Sequence, residues 1–395
     1  MLSVADAQRA VLARIGRTSS ETIALVDARG RTLYGAIDAP RALPNFDNAA
    51  MDGYATRASE LPATLPVVAE IAAGARDLPT IAPGAAARIY TGAPLPAELD
   101  AVVMQEDATR DSDRVTLPAT AVGANIRRAG EDIAIGDRVF APGTVLGAHA
   151  LGVLAALGVT RVEVARAPRV AILATGDELV PIDAPLAPGQ ITASSSVYLA
   201  AAIAEAGGLA IDLGIVRDDA AAIASTITRA LTYDVVITTG GVSVGDRDHV
   251  HAALVRAGVA LELYKVAMKP GKPFSLGRSG TTPVFGLPGN PISTVTAFEL
   301  FVRPALRAML GERDVMRPRA IVELVGGYRK QAGRTHYLRA HVTREGTRLI
   351  ATAHAKQGSA MYSSLVGCNA LVEVAADAEV VAPGAPVPAL LLDAV

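Results

Sequence analysis

Three of the five lysines of this 395-residue chain lie within one segment of eight residues, Lys265-Val-Ala-Met-Lys269-Pro-Gly-Lys272. The other positive charges of the chain are carried almost entirely by arginine. A compact ammonium group on a loop stiffened by proline and glycine suits an oxyanion or a phosphate, which it meets as a point charge. The segment therefore predicts an anion-binding loop, and clustering by chance is the plain alternative.

Carboxylates and a glycine-rich loop supply complementary chemistry. The loop over residues 240–245 lets backbone N–H groups approach an anion, although it lacks the Gly-Lys-Ser/Thr ending of a Walker A loop. Carboxylate oxygens suit a hydrated Mg²⁺ ion, which prefers a few carboxylates together with phosphate oxygens. The alternatives are an ordinary strand–helix turn for the loop and solvated acids or helix caps for the carboxylates. The candidate carboxylates are Glu178, Asp218, Asp246 and Asp248.

These residues follow the strands of one predicted sheet. From Arg169 onward, apolar strands alternate with helices that are expected near 195–206, 219–231, 249–257 and 291–310. Such alternation, with nearly continuous apolar strands, predicts a parallel, doubly wound α/β sheet of about 145 residues. Because ligands bind outside the carboxyl ends of the strands in such sheets, five polar loops are expected to converge on one crevice.

The rest of the chain predicts smaller units. Apolar residues spaced three and four apart predict helix in the first 35 residues. Short apolar runs at 65–71, 87–90, 101–105 and 114–117, broken by Pro and Gly, predict a β-rich module. The loops at 44–54 and 91–96 fit ordinary turn chemistry when judged by residue type alone. Short strands and glycine turns after Arg317 predict a C-terminal β-domain.

Composition excludes several classes of protein. The 37 Lys and Arg residues against 39 Asp and Glu residues argue against binding to a nucleic acid. A single cysteine, Cys368, excludes an internal disulfide framework. The N-terminus is not expected to be a signal peptide, and the uncharged stretch at 139–160 is interrupted by Pro and Gly. We therefore expect a cytoplasmic protein that does not enter a membrane.

Ten short motifs follow one another along nearly the whole chain: Phe46-Asp-Asn-Ala-Ala-Met-Asp-Gly-Tyr54, Thr91-Gly-Ala-Pro94, Ala101-Val-Val-Met-Gln-Glu106, Asn125-Ile-Arg-Arg-Ala-Gly-Glu-Asp132, Thr175-Gly-Asp-Glu178, Arg217-Asp-Asp219, Gly240-Gly-Val-Ser-Val-Gly245, Lys269-Pro-Gly-Lys-Pro273, Leu287-Pro-Gly-Asn-Pro291 and Gln357-Gly-Ser359. The ordered set closely resembles the molybdopterin molybdenumtransferase family, which includes the catalytic domain of gephyrin. Any single motif is modest, whereas the ordered set is highly specific.

The resemblance implies an α/β multidomain protein. Residues 1–35 and 126–166 are expected to form a discontinuous N-terminal or linker domain, into which a β-rich domain of residues 36–125 is inserted. A doubly wound, molybdopterin-binding α/β domain at 167–315 and a C-terminal β-domain at 316–395 follow. The resemblance further implies a homodimer whose site combines the α/β domain of one subunit with the β-rich domain of the other.

The implied reaction inserts molybdate, the co-substrate, into the dithiolene of adenylylated molybdopterin and releases AMP, with Mg²⁺ as cofactor. The motif positions give the implied catalytic residues as Asp52, Thr91, Glu178, Asp218, Asp248, Lys265 and Lys269. The implied substrate-binding residues are Asp177, Gly240, Gly241, Ser243, Gly245, Asp246, Lys272, Pro288, Asn290, Pro291 and Ser359. The implied Mg²⁺ ligands are Glu178, Asp246 and Asp248.

Two segments depart from the family pattern. The chain reads Ile191-Thr-Ala193-Ser-Ser195 where an Asx and an Asn are usual, and His249 stands in place of a tyrosine, with Arg247 beside Asp248. These departures concern contacts to the pterin more than the fold. The alternatives left open are an adenylyltransferase, a clustering scaffold, and tungstate in place of molybdate. Other proteins of cofactor biosynthesis and apo-molybdoenzymes are further expected partners.

Overall fold

The computed structural model describes residues 1–240 and 249–393, without the side chains of His249, Leu263 and Tyr264. The chain begins with α1 (Val4–Leu12), β1 (Ser20–Ala24) and β2 (Ile37–Asp38). The Ser3 side chain caps α1 by accepting a hydrogen bond from the N–H of Asp6. The prediction of helix through residue 35 is wrong beyond Leu12, because β1 pairs antiparallel with a strand at Arg161–Ala165. Tertiary pairing overrides the local spacing there.

The inserted segment forms a six-stranded sheet. The strands of the whole segment are β3 (Asn48–Ala49), β4 (Gly53–Thr56), β5 (Ala63–Ile71), β6 (Ala86–Ile89), β7 (Ala101–Met104), β8 (Thr109–Asp111), β9 (Arg114–Leu117) and β10 (Ile126–Arg127), of which β4 to β9 form the sheet. The sheet order is β7-β4-β6-β5-β9-β8, and β3 pairs with β10. Ala55 and Tyr54 belong to two separate apolar clusters, as alternation along a strand requires.

After the inserted segment, the chain packs again with its N-terminal residues. This part contains β11 (Arg138–Phe140), α2 (Ala148–Ala156) and β12 (Arg161–Ala165). β11 pairs with β2, and β12 pairs with β1. Leu33, Leu146, Leu154 and Val164 are fully buried in one cluster that joins the two sides of the insertion. Residues before and after the inserted sheet therefore pack as one body.

The α/β region contains β13 (Arg169–Thr175), β14 (Leu179–Val180), β15 (Ile191–Thr192), α3 (Ser194–Glu205), β16 (Leu209–Val216), α4 (Ala220–Ala230), β17 (Val235–Thr239), α5 (His249–Arg256), β18 (Ala260–Tyr264), β19 (Met268–Lys269), β20 (Ser275–Ser279), β21 (Thr282–Leu287), α6 (Pro291–Ala297) and α7 (Arg303–Met309). The main sheet has the order β16-β13-β17-β21-β20-β18. The first four strands are parallel as predicted, whereas β20 and β18 form an unpredicted antiparallel edge.

Both faces of this sheet are covered. Val170 and Ile172 of β13 pack in a cluster with α1, α3 and the α6–α7 region, whereas Ala171 and Leu173 pack in a cluster with α4 and α5. Burial on both faces explains the continuous apolar strands and confirms the predicted doubly wound architecture. Among the helices in the described part of the chain, none is long and apolar enough to cross a membrane.

The C-terminal strands are β22 (Arg319–Val325), β23 (Tyr328–Arg329), β24 (Thr335–Glu345), β25 (Arg348–Ala353), β26 (Ala370–Val374), β27 (Val380–Val381) and β28 (Pro386–Leu391). Five of them pair in the order β24-β25-β22-β28-β26, and β26 also pairs with β24, which closes a barrel. Strand β19 of the α/β region adds to β24 in parallel. The barrel is thus joined to the α/β region by strand pairing as well as by side-chain packing.

Candidate active site

A cavity of about 600 Å³ opens beside the carboxyl ends of β13 and β17. Its lining combines small polar side chains, backbone at two glycines and several aliphatic groups. The residues that line it include Thr175, Glu178, Leu179, Leu186, Ile191, Ser194, Thr239, Gly240, Asn290, Pro291, Ala360 and Tyr362. This is the crevice that the strand order predicts, and it brings Glu178, Gly240, Asn290 and Pro291 together.

Gly240 occupies a position that a larger residue would not fit. Its φ is +89°, and a Cβ built there would lie 2.5 Å from the carbonyl oxygen of Thr175. The Gly240 N–H donates to the carbonyl oxygen of Leu287 at 3.2 Å. The Thr175 hydroxyl donates to the carbonyl oxygen of Thr239, also at 3.2 Å. The ends of β13, β17 and β21 are therefore held closely together at the cavity wall.

Glu178 is the carboxylate that the described residues contribute to this cavity. Its carboxyl group lies against the backbone of Gly176, where an added Cβ would meet Glu178 Oε2 at 2.5 Å. A carboxylate at this place fits the oxygen ligands that Mg²⁺ prefers. Asp246 and Asp248, the other predicted ligands, lie outside the described residues, as do Gly241, Ser243 and Gly245. Within residues 1–240 and 249–393, no cluster of three acidic, His or Cys side chains could hold a metal ion.

A second cavity, of about 710 Å³, shares Leu179, Ala193 and Ser196 with the first. Asp177 lines it, and Oδ1 of Asp177 accepts a hydrogen bond from the N–H of Asp218 at 3.2 Å. The alternative interpretation of Asp218 as a helix cap is wrong. Asp219 caps α4 instead, because its carboxylate accepts a hydrogen bond from the N–H of Ala222 at 2.7 Å. Asp177 and the exposed Asp218 are thus adjacent at the edge of this cavity.

The lysine segment is fixed by backbone hydrogen bonds. Lys265 has a φ of +57°, and its N–H donates to the carbonyl oxygen of Phe274 at 3.1 Å. Val266 donates to the carbonyl oxygen of Lys272, also at 3.1 Å. Lys269 pairs with His336 in the β19–β24 ladder. Lys269 and Lys272 are exposed, and the described lining of the two cavities contains no lysine.

Pro288 and Ser359 lie near the start of α6. The carbonyl oxygen of Pro288 accepts a hydrogen bond from the hydroxyl of Thr294 at 2.6 Å. The carbonyl oxygen of Ser359 accepts one from the N–H of Ile292 at 3.1 Å. Because Ser359 belongs to the C-terminal region, this bond ties its loop to the helix that begins at Pro291.

Asp52 and Thr91 form a pair in the inserted sheet region. Oδ1 of Asp52 accepts hydrogen bonds from both the N–H and the hydroxyl of Thr91, each at 2.8 Å. These two bonds, the N–H foremost, hold the pKa of the Asp52 carboxyl below its ordinary value. Neither residue belongs to the described lining of the two cavities, so the structure of one chain does not bring this pair to Glu178.

His336 is a buried, neutral neighbour of the lysine segment. Burial, together with the positive charges of Lys269, Lys330 and Arg334, lowers the pKa of His336 from 6.5 to about 4. The Tyr328 hydroxyl lies 3.1 Å from Nδ1 of His336. The imidazole therefore adds no charge beside Lys269 at neutral pH.

The free energy of unfolding is expected to fall as the pH drops from 6.5 toward 4. Because unfolded His336 takes up a proton near pH 6.5 and folded His336 near pH 4, acid favours the unfolded state. Between pH 7 and pH 5 the loss is about 2 kcal/mol. Urea unfolding at pH 7 and at pH 5 should show this loss of stability in the wild type and in the control His149→Gln, which changes an exposed histidine. A His336→Gln variant with an unchanged loss would contradict this origin.

Comparisons with known proteins agree along the whole chain. The family descriptions "MoeA N-terminal region (domain I and II)", "Probable molybdopterin binding domain" and "MoeA C-terminal region (domain IV)" match residues 2–158, 171–308 and 322–392. Molybdopterin molybdenumtransferase 2 of Mycobacterium tuberculosis (strain CDC 1551 / Oshkosh) is 37% identical over 97% of this chain and 98% of its own. The chain belongs to the molybdopterin molybdenumtransferase family.

Two further comparisons extend this assignment. The molybdopterin molybdenumtransferase of Nostoc sp. (strain PCC 7120 / SAG 25.82 / UTEX 2576) is 41% identical over 74% of this chain and 70% of its own. The crystal structure of a molybdopterin biosynthesis moea protein from Pyrococcus horikosii matches with a TM-score of 0.88 and 30% identity, and both chains are covered completely. The predicted family, enzyme class and fold are confirmed, and this transferase acts in molybdenum cofactor biosynthesis.

Sequence reasoning missed two residues of this transferase that line the first cavity. Ser194 begins α3, and its hydroxyl hydrogen-bonds the hydroxyl of Tyr362 from the C-terminal region. The two positions are 168 residues apart, and no motif in the sequence connects them. Two signals were available: Ser194 lies in the segment 191–195 that departs from the family pattern, and Tyr362 lies three residues after the end of the Gln357-Gly-Ser359 motif.

Proposed function

We propose that the protein inserts molybdate into the dithiolene of adenylylated molybdopterin, releases AMP and depends on Mg²⁺. The observation that carries this proposal is the cavity at the carboxyl ends of β13 and β17, which gathers Glu178, Gly240, Asn290 and Pro291 in a chain of this family. Its volume of about 600 Å³ is in the range that encloses an organic ligand. Its mixture of apolar and polar lining suits a heterocycle that bears phosphate.

The proposed role of each residue follows from its charge. Lys265 and Lys269 lie outside the described lining of the two cavities. In this proposal their charges offset the negative charges of molybdate and phosphate, which would otherwise repel each other. Gly240 has no side chain, so a phosphate oxygen can approach the cavity wall there, while the N–H of Gly240 stays bonded to the carbonyl oxygen of Leu287. Glu178, together with Asp246 and Asp248, would hold Mg²⁺, which when bound polarises the phosphoanhydride. Attack of water or of a molybdate oxygen on the phosphorus of the molybdopterin phosphate breaks the phosphoanhydride bond, and AMP leaves with the electron pair of that bond. As the two dithiolene sulfurs bind molybdenum, one oxygen of molybdate leaves as water with the two thiol protons. No protein nucleophile is required.

We further propose that the complete site needs two subunits. Asp52 and Thr91 are paired and partly exposed, yet neither is in the described lining of the two cavities of the α/β region. A homodimer in which this pair meets the α/β region of the partner subunit gives the pair a role. The two-subunit site is tested by mixing variants, as set out in the Discussion.

Reconstitution in vitro tests the function. Purified protein, adenylylated molybdopterin, Mg²⁺ and molybdate should together give AMP release and activation of an apo-molybdoenzyme. Omission of molybdate or addition of EDTA should abolish the activation, and tungstate in place of molybdate measures the choice of metal. Activation that survives removal of Mg²⁺ would reject the role of that ion. The absence of both AMP release and activation would reject the insertion reaction.

A parallel assay distinguishes metal insertion from the alternative function, adenylylation of molybdopterin. ATP and non-adenylylated molybdopterin should give no pyrophosphate if the chain only inserts metal. Pyrophosphate release from that mixture, without activation of the apo-enzyme in the first assay, would instead favour adenylylation.

A further inference from the structure

Tyr362 brings the C-terminal region into the cavity of the α/β region. It begins a short 3₁₀ turn, Tyr362–Leu365, and 42% of its surface is exposed. The tyrosine lines the cavity that contains Glu178 and Gly240. Its hydroxyl hydrogen-bonds Ser194 at the start of α3. An aromatic side chain from a separate sequence region is therefore held at a cavity wall by a polar contact.

The turn that carries Tyr362 is itself anchored on a buried arginine. Arg339 is 1% exposed, and its Nε donates to the hydroxyl oxygen of Ser364 at 3.1 Å. The Ser364 hydroxyl in turn donates to the carbonyl oxygen of Met361 at 2.7 Å. Because both ends of the Tyr362 side chain are constrained, little conformational entropy remains to be lost when a ligand contacts the ring.

Other apolar groups of the cavity are exposed as well. Leu186 is 58% exposed and Ile191 is 55% exposed, and both line the cavity with Tyr362. A single exposed apolar residue needs no explanation, but three around one cavity leave apolar surface that a ligand would cover. Thr239 and Asn290 add polar groups to the same lining. Apolar walls with a few polar groups suit a flat heteroaromatic ring whose edge forms hydrogen bonds.

We propose that Tyr362 is a substrate-binding residue whose ring packs against a flat heteroaromatic ring of the adenylylated pterin. This inference rests on the proposed function and names a contact within it. The substrate has two such rings, the pterin and the adenine, and either would gain from contact with the phenol ring. The hydroxyl of Ser194 fixes the position of the phenol ring and does not itself bind the substrate.

Direct binding measurements test the contact and identify the ring. Tyr362→Ala should weaken binding of the contacted ring about tenfold, as loss of a stacked aromatic does, while Tyr362→Phe should stay within about threefold of wild type. Molybdopterin and AMP are the two separate probes, and calorimetry measures the affinity of the protein for each of them. Weakening for molybdopterin alone assigns the pterin, and weakening for AMP alone assigns the adenine.

Controls separate stacking from a structural role. Met361→Ala changes the exposed residue immediately before the turn, which is outside the described lining of the cavity, and it should leave both affinities unchanged. In the insertion assay, Tyr362→Ala should raise KM with little change in kcat. Equal losses in Tyr362→Ala, Tyr362→Phe and Ser194→Ala would show a tether between two regions and would overturn the proposal. Unchanged affinity of Tyr362→Ala for both probes would also overturn it.

The two proposals fail in different ways. A wild-type protein that binds the probes but inserts no molybdate contradicts the proposed function and leaves the Tyr362 contact to be judged by affinity. A wild-type protein that inserts molybdate, with Tyr362→Ala equal to it in KM and affinity, contradicts only the contact.

Discussion

Asp52→Asn is expected to lower the rate of molybdate insertion by about a hundredfold while the chain remains folded. One carboxylate oxygen of Asp52 accepts both hydrogen bonds from Thr91, and an amide oxygen can accept the same two bonds. The substitution therefore keeps the geometry and removes the negative charge. The low pKa of the Asp52 carboxyl keeps that charge in place at neutral pH. AMP release and apo-enzyme activation measure the loss, and urea unfolding checks the fold.

Asp47→Asn is the matched control for Asp52→Asn. The N–H of Ala129 and the guanidinium of Arg128 hold the pKa of Asp47 below its ordinary value, so its carboxylate is similarly stabilised. Its partners lie within the same chain and it has no proposed part in the reaction. Asp47→Asn should cost stability and leave kcat unchanged. Equal activity of Asp52→Asn and wild type would contradict the role of Asp52.

Mixed dimers distinguish a shared site from a site within one chain. If Asp52 of one subunit serves Glu178 of the other, then Asp52→Asn and Glu178→Gln chains that exchange subunits form heterodimers with one intact site. Random exchange should restore about a quarter of wild-type activity. A site built within one chain would give no recovery at any mixing ratio.

Arg339→Met is expected to lower the free energy of unfolding by about 3 kcal/mol and to raise the KM for the adenylylated substrate. Arg339 is almost fully buried in β24, where its guanidinium donates to the Ser364 hydroxyl and to backbone carbonyl oxygens of Lys356 and Gly358. Methionine has a similar reach but no donor, so the buried hydroxyl oxygen of Ser364 would lose the hydrogen bond that it accepts. Urea unfolding measures the first effect, and steady-state kinetics measure the second.

Arg344→Met is a suitable control on the same strand. Arg344 is exposed at the far end of β24 and should tolerate the same change within about 0.5 kcal/mol. If Arg339→Met were as stable as Arg344→Met, the loop from His354 to Ser364 would not depend on the buried guanidinium.

Local patterns in the sequence were sufficient to predict most strands and helices of the α/β region. Val170 to Ala174 and Val235 to Thr239 are buried on both faces, and a strand of that kind has a recognisable apolar run. Strand β20 (Ser275–Ser279) was missed because its serines, glycine and arginine resemble a loop, and only pairing with β21 and β18 makes it a strand. Strand β1 was mistaken for helix for the same reason, since β12 lies far away in the sequence.

Some residues of the candidate site could likewise be predicted from the sequence, and others could not. Glu178, Gly240 and Asn290 could be predicted because each lies within three residues after the end of a strand, and strand ends converge by topology. The contacts of Tyr362 with Ser194 and of Lys269 with His336 could not be predicted, because they join regions whose relative placement depends on the whole tertiary structure. Five predicted residues, Gly241, Ser243, Gly245, Asp246 and Asp248, lie outside the described part of the chain and remain predictions.

The pairing of β19 with β24 limits how this protein can be divided. The last helix of the α/β region ends at Met309. A fragment cut after that helix would keep every strand of the six-stranded sheet. The excised fragment would nevertheless lose β24, with which Met268 and Lys269 pair, and with it the N–H of Thr335 that donates to the carbonyl oxygen of Ala267. A transplant of the α/β region into another scaffold must therefore include the barrel, and gene fusions should place their junctions outside both regions.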